Sequence, residues 1–240
     1  MPGRAPAMNK QVWDWGGFFD YLSNEFLFYG VLTTLGLTVA AIIGGLILGL
    51  ALALMRLSPL RLVSAIAQAY IWLFRGTPLL VQLLIIYTGL PLAIGVRFSV
   101  LEAALLGLIL NEAAYLAEIV RSGILSVPEG QSNAAKALGF TNAQVMRYIV
   151  MPQATRIIIP PLGNSVNGLL KTTSVTSVIS MEELLRRTQI LIQEKFLVLE
   201  LFAVAAIYYL ILTTLWDVVQ RRIEARYGKA YSKIQIPEGY

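Results

Sequence analysis

Two apolar stretches of the chain carry polar side chains at helical spacing. Asn111, Tyr115, Glu118 and Ser122 follow one another at intervals of four, three and four residues, so they share one helical face, and Glu112 sits beside that face. A second set covers about one quadrant of a helix surface and consists of Gln153, Arg156, Asn164, Asn167 and Lys171. Ionisable groups inside a membrane need a partner or a water-filled path. These residues could bind a polar solute or join helices by hydrogen bonds.

The two polar faces are expected to pack against each other. Glu118 and Arg156 lie toward the same end of their segments, so the sequence predicts an ion pair between them. Asn111, Tyr115 and Asn164 lie nearer mid-membrane, where the pattern favours a translocation path over purely structural hydrogen bonds. For Glu118 and Arg156 both interpretations stay open.

A third polar feature interrupts an apolar segment at Arg75, Gly76, Thr77 and Pro78. Pro78 cannot donate an amide hydrogen bond, and Gly76 lets another group approach the backbone closely. Freed backbone groups at membrane depth are tolerated where they face protein or a cavity, and a helix N-terminus there favours a carboxylate. The interruption therefore predicts either a zwitterion-binding break or a simple kink.

The composition excludes several functional classes. The 240 residues contain no Cys and no His, which removes the usual zinc ligands and the commonest general base. Nothing resembles a phosphate-binding loop or a nucleophile elbow, so we expect no enzyme activity and no cofactor. The net charge of +5 is spread between apolar spans, which argues against nucleic-acid binding and for a role in membrane orientation.

The chain reads as one membrane domain, since 57% of its residues are hydrophobic and 14% are charged. The first ten residues lack the apolar core of a cleavable signal peptide. Five helical spans are predicted, at about 30–55, 62–90, 99–120, 148–170 and 197–219. The predicted organisation is an extracytoplasmic interfacial segment (1–29), a transmembrane domain (30–220, with a polar loop at about 126–147) and a basic cytoplasmic tail (221–240).

Positive charge in the short loops and the tail sets the predicted orientation. The turn at Arg56 and Arg61, the polar loop and the tail fall on one side, which the positive-inside rule places in the cytoplasm. The N-terminus is then outside. The aromatic segment 12–28 is interpreted as an interfacial anchor rather than a ligand site.

The polar loop predicts a small helix–turn–helix. Ser126 and Glu129 have the spacing of a helix start, Gly139 suits a left-handed helix end, and Thr141 with Gln144 repeats the capping-box pattern. Ala134, Ala135 and Gly139 would leave a nearly bare surface on which another protein could close.

This loop resembles the conserved cytoplasmic loop of ABC importer permeases. Ala134, Ala135, Gly139, Ile149 and Pro152 match its spacing, whereas Asn133 replaces a Glu and Met151 replaces a Leu. The segments FRGTPLLVQ (74–82), NEAAYLAEIVRSGI (111–124) and LLKTTSV (169–175) are similar to those of polar-amino-acid ABC permeases, of the histidine, glutamine and arginine type.

The resemblance implies an all-α, type I importer-like permease with about five transmembrane helices and a cytoplasmic coupling helix. It implies a multi-pass protein of the cytoplasmic membrane whose partners are a pair of ABC ATPase subunits, an extracytoplasmic substrate-binding protein, a second permease subunit (identical or a sister chain) and membrane lipid. The implied ATPase contact comprises Asn133, Ala134, Ala135, Gly139 and Pro152. The predicted substrate-binding residues are Thr77, Pro78, Asn111, Glu112, Tyr115, Asn164, Ser165, Lys171 and Thr172.

The hydroxyls of Ser165 and Thr172 stand where many relatives for cationic amino acids have an acid. Neutral or acidic polar amino acids are therefore expected over arginine or lysine, unless Glu112 supplies the missing acid. A secondary transporter would show internal repeats, which are not found, and a scaffold subunit would not need the break at Thr77.

Overall fold

The computed structural model describes residues 13–228, and every regular element in this range is helical, which confirms the predicted all-α fold. The helices, in chain order, are α1 (Trp15–Leu22), α2 (Glu25–Arg56), α3 (Arg61–Gly76), α4 (Leu79–Leu84), a π-helical turn (Ile85–Gly89), α5 (Leu90–Ile94), α6 (Val100–Leu125), α7 (Glu129–Ala137), α8 (Asn142–Val145), a second π-helical turn (Met146–Val150), α9 (Met151–Thr172), a 3-10 helix (Thr173–Ile179), α10 (Leu184–Lys195) and α11 (Val198–Gly228).

Helices α2, α6 and α11 are long and apolar enough to cross a membrane. A fourth span results if α3 and the helical run Leu79–Ile94 count as one broken span, since they meet at 103°. The fourth predicted span corresponds to α9, which is shorter and more polar than the other three because it carries Arg156, Asn164 and Lys171. The predicted number of about five transmembrane helices is reached only when α9 is counted as well. This helix packs against α6 and α11.

Helices α2 and α6 form an extensive pair because glycines remove side chains from their contact. A Cβ on Gly49 would lie 3.0 Å from the Ala113 carbonyl oxygen, and one on Gly45 would lie 3.2 Å from the Glu112 Cβ. The small-residue step predicted at Gly45 and Gly49 is thus the place where a neighbouring backbone approaches closely. This packing fixes the α6 face that carries Asn111, Glu112 and Tyr115.

The aromatic segment before α2 is tied to α11. The Asp14 amide donates to Glu200 Oε1 (2.8 Å), and the Tyr208 hydroxyl donates to the Leu22 carbonyl (2.8 Å). Trp15 and Phe19 remain exposed, as residues of an interfacial anchor must be. Membrane anchoring by this segment stays a prediction. Residues 1–12, with Arg4 and Lys10, and residues 229–240, with Lys229 and Lys233, lie outside the described range. Helix α11 extends into the predicted tail as far as Gly228.

A buried carboxylate joins three helices at the start of α10. Glu183 is 0% exposed and accepts hydrogen bonds from the Arg186 amide (2.8 Å), the Tyr209 hydroxyl (2.8 Å) and the Thr34 hydroxyl (3.4 Å). Gly30 allows the close approach, since a Cβ there would lie 2.9 Å from the Leu184 Cα. This cluster holds α10 against α2 and α11.

Burial raises the pKa of Glu183 above its ordinary value of 4.5, although its hydrogen bonds act in the opposite direction. The folded protein then holds a proton that the unfolded chain has lost, so the contribution of Glu183 to the free energy of unfolding falls as pH rises above 4.5. Glu183→Gln removes this titration. We expect the thermal midpoint of the native protein, relative to that of the Gln variant, to fall as pH rises above 4.5.

Glu194→Gln, at an exposed position on the same helix, is the matched control for the loss of one carboxyl group from α10. Equal pH dependence of the native protein and Glu183→Gln would contradict the assigned effect of burial.

Candidate functional site

The break between α3 and α4 is held open by amide side chains. Gln82 Nε2 donates to the carbonyls of Phe74 (3.0 Å) and Thr77 (3.1 Å) and to the Thr77 hydroxyl (2.9 Å). Asn111 Nδ2, on α6, donates to the same Phe74 carbonyl (3.2 Å) and to Gln82 Oε1 (3.0 Å). The carbonyls freed by Pro78 are therefore satisfied from within the protein. The break is therefore stabilised by side-chain hydrogen bonds, which a simple kink does not require.

A cavity of about 340 Å³ lies beside this break, between α4, α6 and α9. Its lining is polar at several positions and contains no Lys or Arg among the described residues. The lining residues are Thr77, Pro78, Leu79, Asn111, Glu112, Tyr115, Ser165, Gly168, Leu169 and Thr172.

The structure brings together most of the residues predicted to bind substrate. The break contributes Thr77 and Pro78, the polar face of α6 contributes Asn111, Glu112 and Tyr115, and α9 contributes Ser165 and Thr172. Ser165 and Thr172 are seven residues apart, so they stand two helical turns apart on one face of α9. Their part in binding stays a prediction.

Asn164 and Lys171 do not line this cavity, which corrects their predicted placement. Asn164 Oδ1 accepts from Gln220 Nε2 on α11 (3.1 Å), and the neighbouring Asn167 donates to Asp217 on α11 (2.6 Å). Lys171 is exposed. Each residue of a helix is rotated about 100° from the one before it, so Asn164 faces α11 while Ser165 faces the cavity. Of the polar face of α9 that was predicted to meet α6, Asn164 and Asn167 are thus directed toward α11.

Glu112 is the most unusual group in the cavity wall. Its side chain is 8% exposed, and its Oε1 atom is buried without a hydrogen-bond partner among the described residues. The Ser165 hydroxyl lies beside the carboxylate, and Gly45 of α2 packs against its Cβ and Cγ from behind. A buried carboxylate oxygen without a donor is costly unless a cation or donor arrives from the cavity.

The expectation of neutral or acidic substrates assumed that the site lacks an acid. Glu112 contradicts that assumption, because it lines the cavity together with both hydroxyls, Ser165 and Thr172. The acid is supplied by α6 rather than by α9. The sequence alone left open whether Glu112, which sits beside the polar face of α6, would reach the cavity.

The ion pair predicted between Glu118 and Arg156 is wrong. Glu118 Oε2 pairs with Arg121 Nη2 at 2.8 Å, one helical turn away on α6, and Arg156 is exposed on α9. An i, i+3 partner on the same helix is already in reach when the helix forms, so it prevails over a partner on another helix. Gln82 and Arg121 are the polar residues whose roles sequence reasoning missed. The signal for Gln82 was its position one turn after Pro78.

A second and larger cavity, of about 590 Å³, continues from the first toward the end of α6 at Leu125. It shares Tyr115 and Ser165 with the first cavity and also contacts the Glu118 side chain.

The polar loop forms the predicted helix–turn–helix, α7 and α8. Gly139 ends α7 with a φ of +88°, and its amide donates to the Lys136 carbonyl (2.9 Å). The capping box of Thr141 and Gln144 is also present at the start of α8. Ser126 does not cap α7, which starts after Pro128 without a side-chain cap. Its hydroxyl instead donates to the Gly123 carbonyl (2.6 Å) at the end of α6.

The surface of the loop differs in one respect from the predicted contact. Asn133, Ala134, Gly139 and Pro152 are exposed, but Ala135 is only 6% exposed and packs inward with Val127, Val145 and Val150. The prediction that Ala135 belongs to a bare docking surface is therefore wrong, because this position anchors α7 to the chain's own core. Leu138 is 81% exposed and extends the outward surface.

Comparison with known proteins identifies the family. Residues 41–229 match the model of the binding-protein-dependent transport system inner membrane component. The chain is 38% identical to an arginine transport system permease protein of Corynebacterium glutamicum, over 95% of this chain and 76% of that protein. It is 35% identical to the glutamine transport system permease protein of Escherichia coli, over 89% of this chain and 97% of that protein.

Solved structures agree with this assignment. A chain of an amino acid ABC transporter solved with histidines is 36% identical and superposes with a TM-score of 0.84, covering 90% of this chain and 99% of that chain. A methionine ABC transporter chain in an inward-facing conformation is 21% identical with a TM-score of 0.68, which shows a shared fold. The chain belongs to the family of inner membrane components of binding-protein-dependent ABC transport systems.

Proposed function

We propose that this chain is the permease subunit of an ATP-driven importer of polar amino acids, and that its cavity accepts cationic amino acids in preference to acidic ones. The observation that carries the proposal is the buried, unpartnered Glu112 Oε1 atom in the wall of a cavity beside a helix break. A volume of about 340 Å³ lies at the small end of ligand pockets, which span about 300–1,000 Å³, and it suits a single amino acid.

Two parts of the cavity wall suit the two charges of an amino acid. The helical run from Leu79 to Ile94 begins at the cavity wall after Pro78, and no side chain caps its first amides. These amides and the positive end of the helix favour the α-carboxylate. Glu112, on α6, favours an ammonium or guanidinium group. Asn111, Tyr115, Ser165 and Thr172 offer neutral hydrogen bonds to the rest of the molecule.

Charge balance determines the order of preference. A cationic amino acid cancels the charge of Glu112, whereas an acidic one adds a second negative charge to a cavity whose described lining has no Lys or Arg. Like charges held close together in a poorly solvated site disfavour binding. Cationic amino acids should therefore bind best, neutral amides such as glutamine should follow, and glutamate should bind worst. The arginine and glutamine permeases among the relatives support the first two classes.

ATP hydrolysis is assigned to a separate pair of ATPase subunits that bind the loop of α7 and α8. The exposed residues Asn133, Ala134, Leu138 and Gly139 offer a small protruding surface for a groove on the ATPase. The chain would pair with a second permease subunit and receive its substrate from an extracytoplasmic binding protein. The N-terminus would lie outside and the loop in the cytoplasm, as the distribution of basic residues favours.

Glu112→Gln tests the substrate charge. Arginine affinity should fall about 10- to 100-fold, since a hydrogen bond to a charged group contributes about 1.5–3 kcal/mol. Glutamine affinity should fall much less, because the amide side chain has no charge to lose. Equilibrium binding to the purified permease–ATPase complex, without the binding protein, measures both affinities independently of delivery. Glu112→Asp retains the charge and serves as the matched variant, which should keep the order of preference.

An unchanged ratio of arginine to glutamine affinity in Glu112→Gln would exclude Glu112 as the group that sets substrate charge. Tighter binding of glutamate than arginine by the native complex would reject the charge preference.

Gly139→Asp tests the ATPase contact. Beyond its two chain neighbours, a Cβ at Gly139 meets no atom of residues 13–228 within 4 Å, so the substitution introduces left-handed strain of about 1 kcal/mol and a projecting charge on the loop surface. We expect normal membrane insertion but loss of the co-purifying ATPase. Gly95→Asp is the matched control, because Gly95 also has a positive φ (+73°) and open space around it but lies far from the loop in sequence. Retention of the ATPase by Gly139→Asp, or equal loss in both variants, would refute the contact.

A further inference from the structure

The second cavity has a lining distinct from that of the first. It extends from Tyr115 and Ser165, which both cavities share, to Ser126 at the end of α6. Its wall is formed by α3, α6 and α9, and it lies between the first cavity and the loop of α7. The lining residues are Arg75, Tyr115, Glu118, Ile119, Ser122, Gly123, Ser126, Ile157, Pro161 and Ser165.

The two charged side chains of the second cavity differ in whether they already form a salt bridge. The carboxylate of Glu118 is already occupied, since it pairs with Arg121 at 2.8 Å and accepts two further contacts from Arg121 Nε. Arg75 makes no salt bridge within residues 13–228. Its guanidinium carbon lies 5.4 Å from the centre of the Tyr115 ring, at the boundary between the cavities. The available charge in the second cavity is therefore positive, whereas in the first it is negative.

We propose that the second cavity is a second binding station for the transported amino acid, in which Arg75 leaves its contact with the Tyr115 ring and binds the α-carboxylate. This proposal rests on the proposed function. Arg75 lies in the last turn of α3, three residues before Pro78, and its guanidinium is beside Tyr115, which lines both cavities. It can therefore bind a carboxylate that leaves the start of α4. A guanidinium–carboxylate pair is bidentate and stronger than an accessible cation–π contact, so the substrate can displace Arg75 from the Tyr115 ring.

The second station holds the amino acid more weakly than the first. The ammonium or cationic side chain leaves Glu112 and finds Glu118 already neutralised by Arg121. The amino acid thus loses its cation-binding partner when it enters the second cavity and keeps only the contact to its carboxylate. This asymmetry favours release at the end nearest α7.

Protection of introduced cysteines from N-ethylmaleimide, in the permease–ATPase complex, distinguishes the two stations. The native chain contains no Cys, so each label reports one position. Ser122→Cys probes the second cavity, and Thr172→Cys probes the first. Arginine should protect both, with a higher half-protecting concentration at Ser122→Cys. Adding Arg75→Met should raise that concentration at least tenfold at Ser122→Cys and change it less than twofold at Thr172→Cys. Arg75→Lys should give an intermediate shift, because it keeps the charge and loses the bidentate geometry.

Four results would contradict either the second station or the proposed function. Protection at Thr172→Cys but not at Ser122→Cys would overturn the second station, and so would protection of Ser122→Cys that Arg75→Met leaves unchanged. Equal shifts at both positions would place Arg75 in the first site and also overturn it. Absence of protection at both positions would instead refute the proposed function. Labelling rates without arginine, compared between Arg75→Met and Arg75→Lys, report whether the variants fold alike.

Discussion

A helix that breaks at membrane depth must have its freed backbone groups bonded inside the protein, and this requirement organises the site. Between α3 and α4 the carbonyls of Phe74 and Thr77 lose their helical partners, and the side chains of Gln82 and Asn111 replace them. The amide nitrogens of both side chains bond to these carbonyls, Gln82 from α4 itself and Asn111 from α6. These hydrogen bonds hold the start of α4 beside α6.

The polar groups that remain unsatisfied define what the cavity can bind. With the carbonyls bonded, the cavity wall still contains the start of α4, which no side chain of the described residues caps, and Glu112, whose Oε1 atom is buried without a partner among those residues. In the proposed function, the first attracts a carboxylate and the second a cation, as an amino acid requires. The glycines of α2 support this arrangement indirectly, since Gly45 and Gly49 let α2 pack closely against α6 at Glu112.

Sequence periodicity predicted which residues share a helical face, but not which neighbouring helix each face meets. The face of α6 was found from its spacing of four, three and four residues, and the pair Ser165 and Thr172 from their seven-residue spacing and the family resemblance. Asn164 was misplaced because one residue rotates a side chain by about 100°, and only the position of Gln220 on α11 shows that Asn164 faces away from the cavity. Glu118 was misassigned because a local partner, Arg121, competes with any partner on another helix. The inward packing of Ala135 depends on Val145 and Val150 and cannot be read from α7 alone.

The most direct test of this account is an experimental structure of the permease–ATPase complex with arginine bound. The account predicts a cationic nitrogen of arginine about 2.7–2.9 Å from Glu112 Oε1 and the α-carboxylate at the first amides of α4. Arginine bound with no cationic nitrogen in contact with Glu112, or with its carboxylate directed away from α4, would contradict the account.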